Sequence, residues 1–353
     1  MKNKKVLVAM SGGVDSSVAA YLLKNSGYDC IGCTMKLYDG KENEYKEKTC
    51  CTADDAYDAA SVCRKLGIPH YVFNFKDEFE RDVIDKFISD YQNGLTPNPC
   101  ICCNEKLKFG KLAKRAEALG CDFIATGHYC RIVFDNGEYR LKKALDPSKD
   151  QSYVLYRMDQ SLLSKTLFPL SELEKSEVRR IAEENGFINA QKKESQDICF
   201  IPDGDYAAFI TEKTGIIPAP GDFIGVDGKV IGKHKGIIHY TVGQRKGLGV
   251  AFGEPMYVVS VNAKDNTVTL GREADLYKTG FSVRDINLIN EPNSDTFRCE
   301  VMTRYRKKPC PATVVLKEDG ADVTLDEPQR APTPGQAAVF YDGDTVLGGG
   351  III

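Results

Sequence analysis

Val6-Leu7-Val8-Ala9-Met10, followed at once by Ser11-Gly12-Gly13-Val14-Asp15-Ser16-Ser17, is the stretch whose reading decides the fold. The first five residues form an unbroken apolar run, the pattern of a strand buried on both faces in a parallel sheet. A helical stretch follows the loop, so strand, small-residue turn and helix succeed one another as in an open α/β sheet. Such a loop presents backbone N–H groups at a helix N-terminus, where the helix dipole also favours an anion. The glycines let the chain approach a phosphate closely, and the serines add hydroxyl donors. No Gly-Lys-Ser/Thr closes the loop, which excludes a Walker A site, and no dinucleotide fingerprint is present. Asp15 is an unusual neighbour for a phosphate unless it meets a metal or positions the loop.

Outward from this stretch, strand and helix alternate over the first 130 or so residues. A helix is expected from about Ser16 to Asn25, ended at Gly27. Strands are expected at Cys30 to Met35, His70 to Phe75 and Phe123 to Thr126. Ala56, Ala59, Ala60 and Cys63 share one helix face. Phe79, Val83, Ile84, Phe87, Ile88 and Tyr91 mark another helix, and Phe109, Leu112, Ala113 and Ala116 a third. The implied fold is a doubly wound α/β domain, with ligands at the C-terminal ends of its strands. Beyond it, Arg131 to Phe134, Asp135-Asn136-Gly137 and Tyr139 to Lys142 predict a hairpin with an Asn-Gly turn. One more helix is expected between Ser176 and Asn185, ended by Gly186. From about residue 205 the chain turns to Gly, Pro and β-branched residues at short spacing, expected to be all-β: a small central domain and a terminal barrel. The expected divisions are 1–204, 205–272 and 273–353.

The 353 residues exceed one typical domain, and 42% hydrophobic with 27% charged residues is globular composition. The charged start Met1-Lys2-Asn3-Lys4-Lys5 is unlike a signal peptide, and no apolar run approaches a membrane span. The expected compartment is the cytoplasm, with no membrane association. A net charge of −3 does not advertise nucleic acid binding; local clusters at Lys233-His234-Lys235, Arg245-Lys246 and Arg304 to Lys308 are compatible with it or with a solvated surface.

Thirteen cysteines in such a chain do not suggest a disulfide framework. Cys30 and Cys33 have C-x-x-C spacing, but on a strand they point to opposite faces. With Cys63, Cys121, Cys130, Cys299 and Cys310 they are expected to pack. Cys50-Cys51 follows a charged loop and could face solvent. Thr96-Pro97-Asn98-Pro99-Cys100-Ile101-Cys102-Cys103-Asn104 differs in kind: two prolines stiffen the approach, and the cysteines stand at the expected start of a helix, whose dipole lowers a thiol pKa. A further cysteine stands in Glu194-Ser195-Gln196-Asp197-Ile198-Cys199-Phe200-Ile201-Pro202.

Ser11 to Ser16 match the pyrophosphate loop of the PP-loop ATPases, enzymes that cleave ATP between the α and β phosphates and adenylate a carbonyl-type oxygen. Over nearly its full length the chain resembles the bacterial tRNA-specific 2-thiouridylases, the MnmA family. The motifs that carry the resemblance are the Ser11–Ser17 loop, Asn98-Pro99-x-x-x-Cys103-Asn104, Ala125-Thr126-Gly127-His128-Tyr129, Lys149-Asp150-Gln151-Ser152-Tyr153 and Ile198-Cys199-Phe200-Ile201. They continue with His239 to Gly247, Thr303-Arg304-Tyr305-Arg306, Thr333-Pro334-Gly335-Gln336 and Leu347-Gly348-Gly349-Gly350.

The resemblance implies a PP-loop (adenine nucleotide α-hydrolase-like) domain before the β-rich domains. It implies that Ala9, Met10, Ser11, Gly12, Gly13, Val14, Asp15 and Ser16 hold ATP phosphates, with Mg²⁺, and that Met35 and Gly127 contact the nucleotide. Asn98, Pro99 and Cys100 would border the target base. His128, Lys149, Asp150, Gln151, Arg304, Tyr305 and Gln336 would touch tRNA. Cys103 corresponds to the nucleophile and Cys199 to the persulfide carrier. The implied reaction adenylates C2 of the wobble uridine (anticodon position 34), transfers sulfur to it, and yields 2-thiouridine, AMP and pyrophosphate. The implied partners are tRNAs of the Lys, Glu and Gln type and a sulfur donor such as a cysteine desulfurase or relay protein; a monomer is expected. This chain departs from many relatives in carrying Cys100 where they carry Asp. Cys100, Cys103 and Cys199 would also suit a [4Fe–4S] cluster with one open iron position, and the persulfide relay and cluster readings both stay open; zinc lacks an evident fourth ligand. The rival enzyme class is a PP-loop ligase or synthetase acting on another acceptor, which has no need of Cys103 and Cys199.

Overall fold

A computed structural model describes residues 3–38, 53–192, 198–250 and 253–353. The chain divides into two compact units: Met1–Val83 with Cys100–Pro202 and Asp344–Val346, and Ile84–Pro99 with Asp203–Gly343 and Leu347–Ile353. Cys50-Cys51 and Glu194 to Asp197 lie outside the described residues.

In the first unit, Lys5–Ala9, Asp29–Lys36, His70–Asn74, Phe123–Ala125 and Thr166–Leu167 form one parallel sheet, ordered third, second, first, fourth, fifth. Val6, Leu7 and Val8 are fully buried, as a strand covered on both faces must be. Helices Val14–Asn25, Ala53–Leu66 and Lys175–Glu184 contribute Val18, Ala19, Val62, Cys63, Val178 and Ala182 to the same core. The strand order reverses at the first strand. The loops leaving the first and fourth strands therefore adjoin, the position where open α/β sheets bind ligands. The fifth strand, two residues long, is too short to leave a periodic signal and was not expected.

The hairpin Arg131–Asp135 with Glu138–Lys142 turns through Asn136 and Gly137, both left-handed at φ 51° and 86°, the backbone that an Asn-Gly turn supplies. Two of the expected helices carry π-helical turns, at Glu80–Ile84 and Cys103–Leu112. Such turns re-aim side chains relative to a regular helix, and the 3.6-residue periodicity used to find these helices does not register them.

The second unit corrects one expectation. The chain after residue 205 is not all-β, because Tyr206–Thr214 is a helix. Its Asp205 cap accepts from the Ala208 N–H at 2.9 Å, and Gly215 ends it in the left-handed region. Tyr206 and Phe209 pack on Phe87, at ring separations of 6.1 and 6.4 Å. A four-stranded sheet follows, ordered Tyr257–Asn262, Thr267–Gly271, Gly221–Gly225, Val230–His234, over a core of Phe223, Tyr240, Val258, Val268 and Leu270. The last domain is a closed barrel of six strands: Tyr277–Leu288, Gly320–Arg330, Cys310–Lys317, Thr296–Met302, Ala337–Asp342 and Thr345–Ile352, the last pairing back with the first. Val301, Val314, Val323 and Phe340 fill it.

Phe340 is fully buried in the barrel. Phe340→Ala is expected to cost about 3–5 kcal/mol through lost burial and the cavity left behind, measured as a lowered urea midpoint by far-ultraviolet circular dichroism.

Candidate active site

The loop after the first strand is braced from within. Ser11 N–H donates to Ser16 Oγ at 3.2 Å, and the Ser16 and Ser17 hydroxyls each donate to the Gly13 carbonyl at 3.0 Å. Gly13 is the N-cap of Val14–Asn25, and no side chain caps that end. The first helical N–H groups have no intrahelical acceptor, so this end can take an anion. Gly12 has φ 72°, and a Cβ there would overlap the Asp55 backbone. Gly127, leaving the fourth strand, lies against the loop so closely that a Cβ would come within 2.8 Å of Asp15 C and Ser16 N. The loop's nearness to the fourth strand therefore depends on that missing side chain. Ala9 and Met10 end the first strand, and Met35 is buried near the end of the second.

The carboxylate of Asp15 is held. Lys175 Nζ lies 2.6 and 2.8 Å from its two oxygens, and Tyr129 Oη donates to Oδ1 at 2.6 Å. Tyr129 is fixed in turn by Gln151: their backbones and the Gln151 amide make two bonds of 3.0 Å. Asp150 shapes the same turn, accepting from Ala144 N–H and from the Ser152 hydroxyl. On the other side of the loop, Asn189 donates to the Gly12 carbonyl and to Ser17 Oγ, both at 2.9 Å. Lys192 bridges Asp55 and Asp58 at 2.6 and 2.7 Å. Lys175, Asn189 and Lys192 were not singled out from sequence. One signal was available for Lys175, a cation in the first turn of its helix, where the dipole disfavours it.

The cysteines separate into two kinds. Burial pushes the Cys30 thiol up to about 11 and the Cys63 thiol up to about 12, and it also raises Cys33, Cys121 and Cys130. These stay protonated at neutral pH. Cys100 is exposed, while Cys103 and Cys199 are half-buried. Cys103 opens the π-helical stretch, and Asn104 beside it is buried, its amide donating to the Val154 carbonyl at 3.3 Å. The helical stretch through Phe79 and Asp82 supports both cysteine segments. Cys102 Sγ donates to the Asp82 carbonyl at 2.9 Å, and Phe200 meets Phe79 edge-on at 5.6 Å. Cys102 is thus an anchor. Among the described residues no three His, Cys, Asp or Glu side chains are grouped so as to hold a metal ion.

The residues expected at RNA have mixed settings. His128 is 6% exposed, its Nδ1 2.7 Å from Thr126 Oγ1, and burial, with Lys108 nearby, keeps its pKa well below the usual value. Gln336 is 7% exposed and donates to the Thr96 carbonyl at 2.8 Å. Both are buried and hydrogen-bonded within the chain. Lys149 is half-buried beside the Asp150 turn, Asn98 is half-buried and Pro99 is buried. Arg304, Arg306 and Lys308 are exposed, and the Arg306 guanidinium lies 5.3 Å from the Tyr305 ring centre. Lys307 is diverted to the Arg330 carbonyl at 3.0 Å. Lys233-His234-Lys235 is not a uniform basic patch. His234 is buried between Asn266 and Gly236, and Lys233 pairs with Asp222 at 2.6 Å.

Gly127→Ala is expected to displace the loop and weaken ATP binding by roughly tenfold or more, a loss of about 1.4 kcal/mol per factor of ten. Titration with a fluorescent ATP analogue measures it, with the melting temperature as the control for folding.

Comparison with known proteins places this geometry in a family. Three family profiles match in succession: the tRNA methyl transferase HUP domain over residues 4–203, the tRNA methyl transferase PRC-barrel domain over 208–272, and the aminomethyltransferase beta-barrel domain over 278–352. The tRNA-specific 2-thiouridylase MnmA of Clostridioides difficile is 48% identical over 99% of this chain and 98% of its own length. That of Acetivibrio thermocellus is 49% identical over 100% of both. Among solved structures, a 4-thiouridine synthetase–RNA complex with bound ATP aligns at 18% identity and TM-score 0.36, over 60% of this chain and 50% of that one. Identity of 48–49% over 98–100% of each chain, with three family profiles matched in succession, leaves one conclusion: the chain belongs to the MnmA family of tRNA-specific 2-thiouridylases.

Proposed function

We infer that this chain is a tRNA-uridine 2-sulfurtransferase, which uses ATP to replace the C2 oxygen of the wobble uridine with sulfur. The observation that carries the reading is a division of labour within one unit. An uncapped helix start suited to phosphate stands at the sheet's switch point. Two cysteine-bearing segments far apart in the chain are braced on one helical stretch through Phe79 and Asp82.

The chemistry needs both parts. The C2 oxygen of uracil is a poor leaving group. Its attack on the α-phosphate expels pyrophosphate and turns it into the oxygen of AMP. The terminal sulfur of a Cys199 persulfide then attacks C2, and AMP leaves. The Cys103 thiolate attacks the inner sulfur, so that the C2–S group departs as 2-thiouridine and a Cys103–Cys199 disulfide remains for an external dithiol to reduce. In this reading residues 9–16, Met35 and Gly127 receive ATP, and Asn98, Pro99 and Cys100 border the base. The base must leave its stack to be reached, at a cost of about a few kcal/mol. Mg²⁺ would be held chiefly by the ATP phosphates and would screen their charge; the loop's carboxylate, Asp15, is already held by Lys175 and Tyr129.

Exposed Arg304, Arg306 and Lys308, with Tyr305 among them, support the barrel as a phosphate- and base-contacting surface. The domain divisions 1–204, 205–272 and 273–353, a monomer, a protein sulfur donor, tRNAs of the Lys, Glu and Gln type and a cytoplasmic site complete the proposal. No helix among the described residues is long and apolar enough to cross a membrane.

Nucleoside mass spectrometry tests the reaction. Iron-free, chelator-treated protein given unmodified tRNA, ATP, Mg²⁺ and a persulfide donor is expected to form 2-thiouridine, and Cys103→Ser and Cys199→Ser to form none. 2-Thiouridine formed by either variant would refute the relay, and none formed by the unaltered chain would favour a ligase acting on another acceptor. Arg304→Ala is expected to weaken tRNA binding and to lower the slope of log K against log salt by about one contact, roughly 0.7–0.9, read by filter binding across a salt series.

A further inference from the structure

Lys175 stands where its own helix disfavours it. It is the first residue of Lys175–Glu184, at the positive end of the helix dipole. Its side chain is 10% exposed, and a lysine is rarely buried to that degree unless it is paired. Packing alone does not explain a cation at that position. Its partner does. Both oxygens of Asp15 lie within 2.8 Å of the ammonium, which also sits 5.7 Å from the Tyr129 ring centre.

Asp15 is in the first turn of the helix whose start is open to an anion. ATP would bring several negative charges to that point, and a bare carboxylate would oppose them. The Lys175 ammonium makes the carboxylate one half of a neutral pair. The Tyr129 hydroxyl at 2.6 Å then fixes its direction.

We propose that Lys175 is a positioning residue for ATP: by neutralising Asp15, which Tyr129 orients, it keeps the helix start receptive to a polyphosphate. It acts through Asp15 and does not itself hold the phosphates. The proposal deepens the ATP-loop reading and rests on it.

Affinities for α,β-methylene-ATP and for adenosine are measured in parallel on the unaltered chain, Lys175→Met, Lys175→Arg, Asp15→Asn and the Lys175→Met, Asp15→Asn double variant. Lys175→Met is expected to lose affinity for the ATP analogue by roughly tenfold or more, from one uncompensated carboxylate beside a polyphosphate, while adenosine binding holds. The loss should shrink as salt rises, and Lys175→Arg should recover most of it. The double variant should bind the analogue more tightly than Lys175→Met, because it lacks the offending charge. A double variant no better than Lys175→Met would show that Lys175 does not act through Asp15 and would overturn the proposal. Adenosine affinity falling in step with the analogue would reduce Lys175 to a structural support. If the unaltered chain binds adenosine as tightly as the analogue, the loop does not hold phosphates, and the ATP reading fails together with the proposal built on it.

Discussion

A carboxylate in the first turn of a helix whose start no side chain caps is held from several sides, and much of the first unit is arranged around Asp15. Its partners come from two distant places, Lys175 from a late helix and Tyr129 from the loop after the fourth strand, and Gln151 in turn holds Tyr129. These can meet only if the fourth strand lies beside the first and the Lys175–Glu184 helix packs near Val14–Asn25. The requirement extends to Gly127, because a side chain there would push the fourth-strand loop off the Asp15–Ser16 backbone. Buried ion pairs do not in general add much stability. This one leaves Asp15 half of a neutral pair, and the Tyr129 hydroxyl fixes where its carboxylate points.

The thiols are governed by a second constraint, the cost of burying an anion. Cys30, Cys33, Cys63, Cys121 and Cys130 lie in or beside the sheet's core, and their raised pKa values keep them as protonated packing groups. Sulfur chemistry needs a thiolate, so it belongs where water reaches. Cys100 is exposed and Cys103 and Cys199 are half-buried, and residues adjoining them are anchored: Cys102 on the Asp82 carbonyl, Phe200 on Phe79.

The barrel handles positive charge in the same selective way. Of the run Arg304 to Lys308, Lys307 is drawn inward to the Arg330 carbonyl, while Arg304, Arg306 and Lys308 stay in solvent. His234, within another basic-looking triplet, is a buried strut. A run of cations in a sequence is therefore a poor guide to a charged surface, because the backbone decides which members desolvate.

Strong local patterns were enough to make much of this protein legible from sequence alone. An all-apolar run entering a Ser/Gly loop and a helix, the strand–helix alternation, the Asn136-Gly137 hairpin and the unusual Pro-bounded cysteine segment depend on a few neighbouring residues and so survive without tertiary information. The same holds for the family motifs at Cys103 and Cys199. The helix Tyr206–Thr214 carried local signals too, in Asp205 and Gly215, but was overlooked amid β-like composition. Other features were decided only by the tertiary structure. The two-residue fifth strand exists because the fourth strand offers it an edge. The π-helical turns alter a periodicity that amphipathic patterning cannot resolve. Lys175, Asn189 and Lys192 reach the loop from segments remote in the chain, and His128 and Gln336 are withdrawn from the surface. Burial, pairing and charge neutralisation are properties of neighbours in space, and in those cases the neighbours are far apart in the chain.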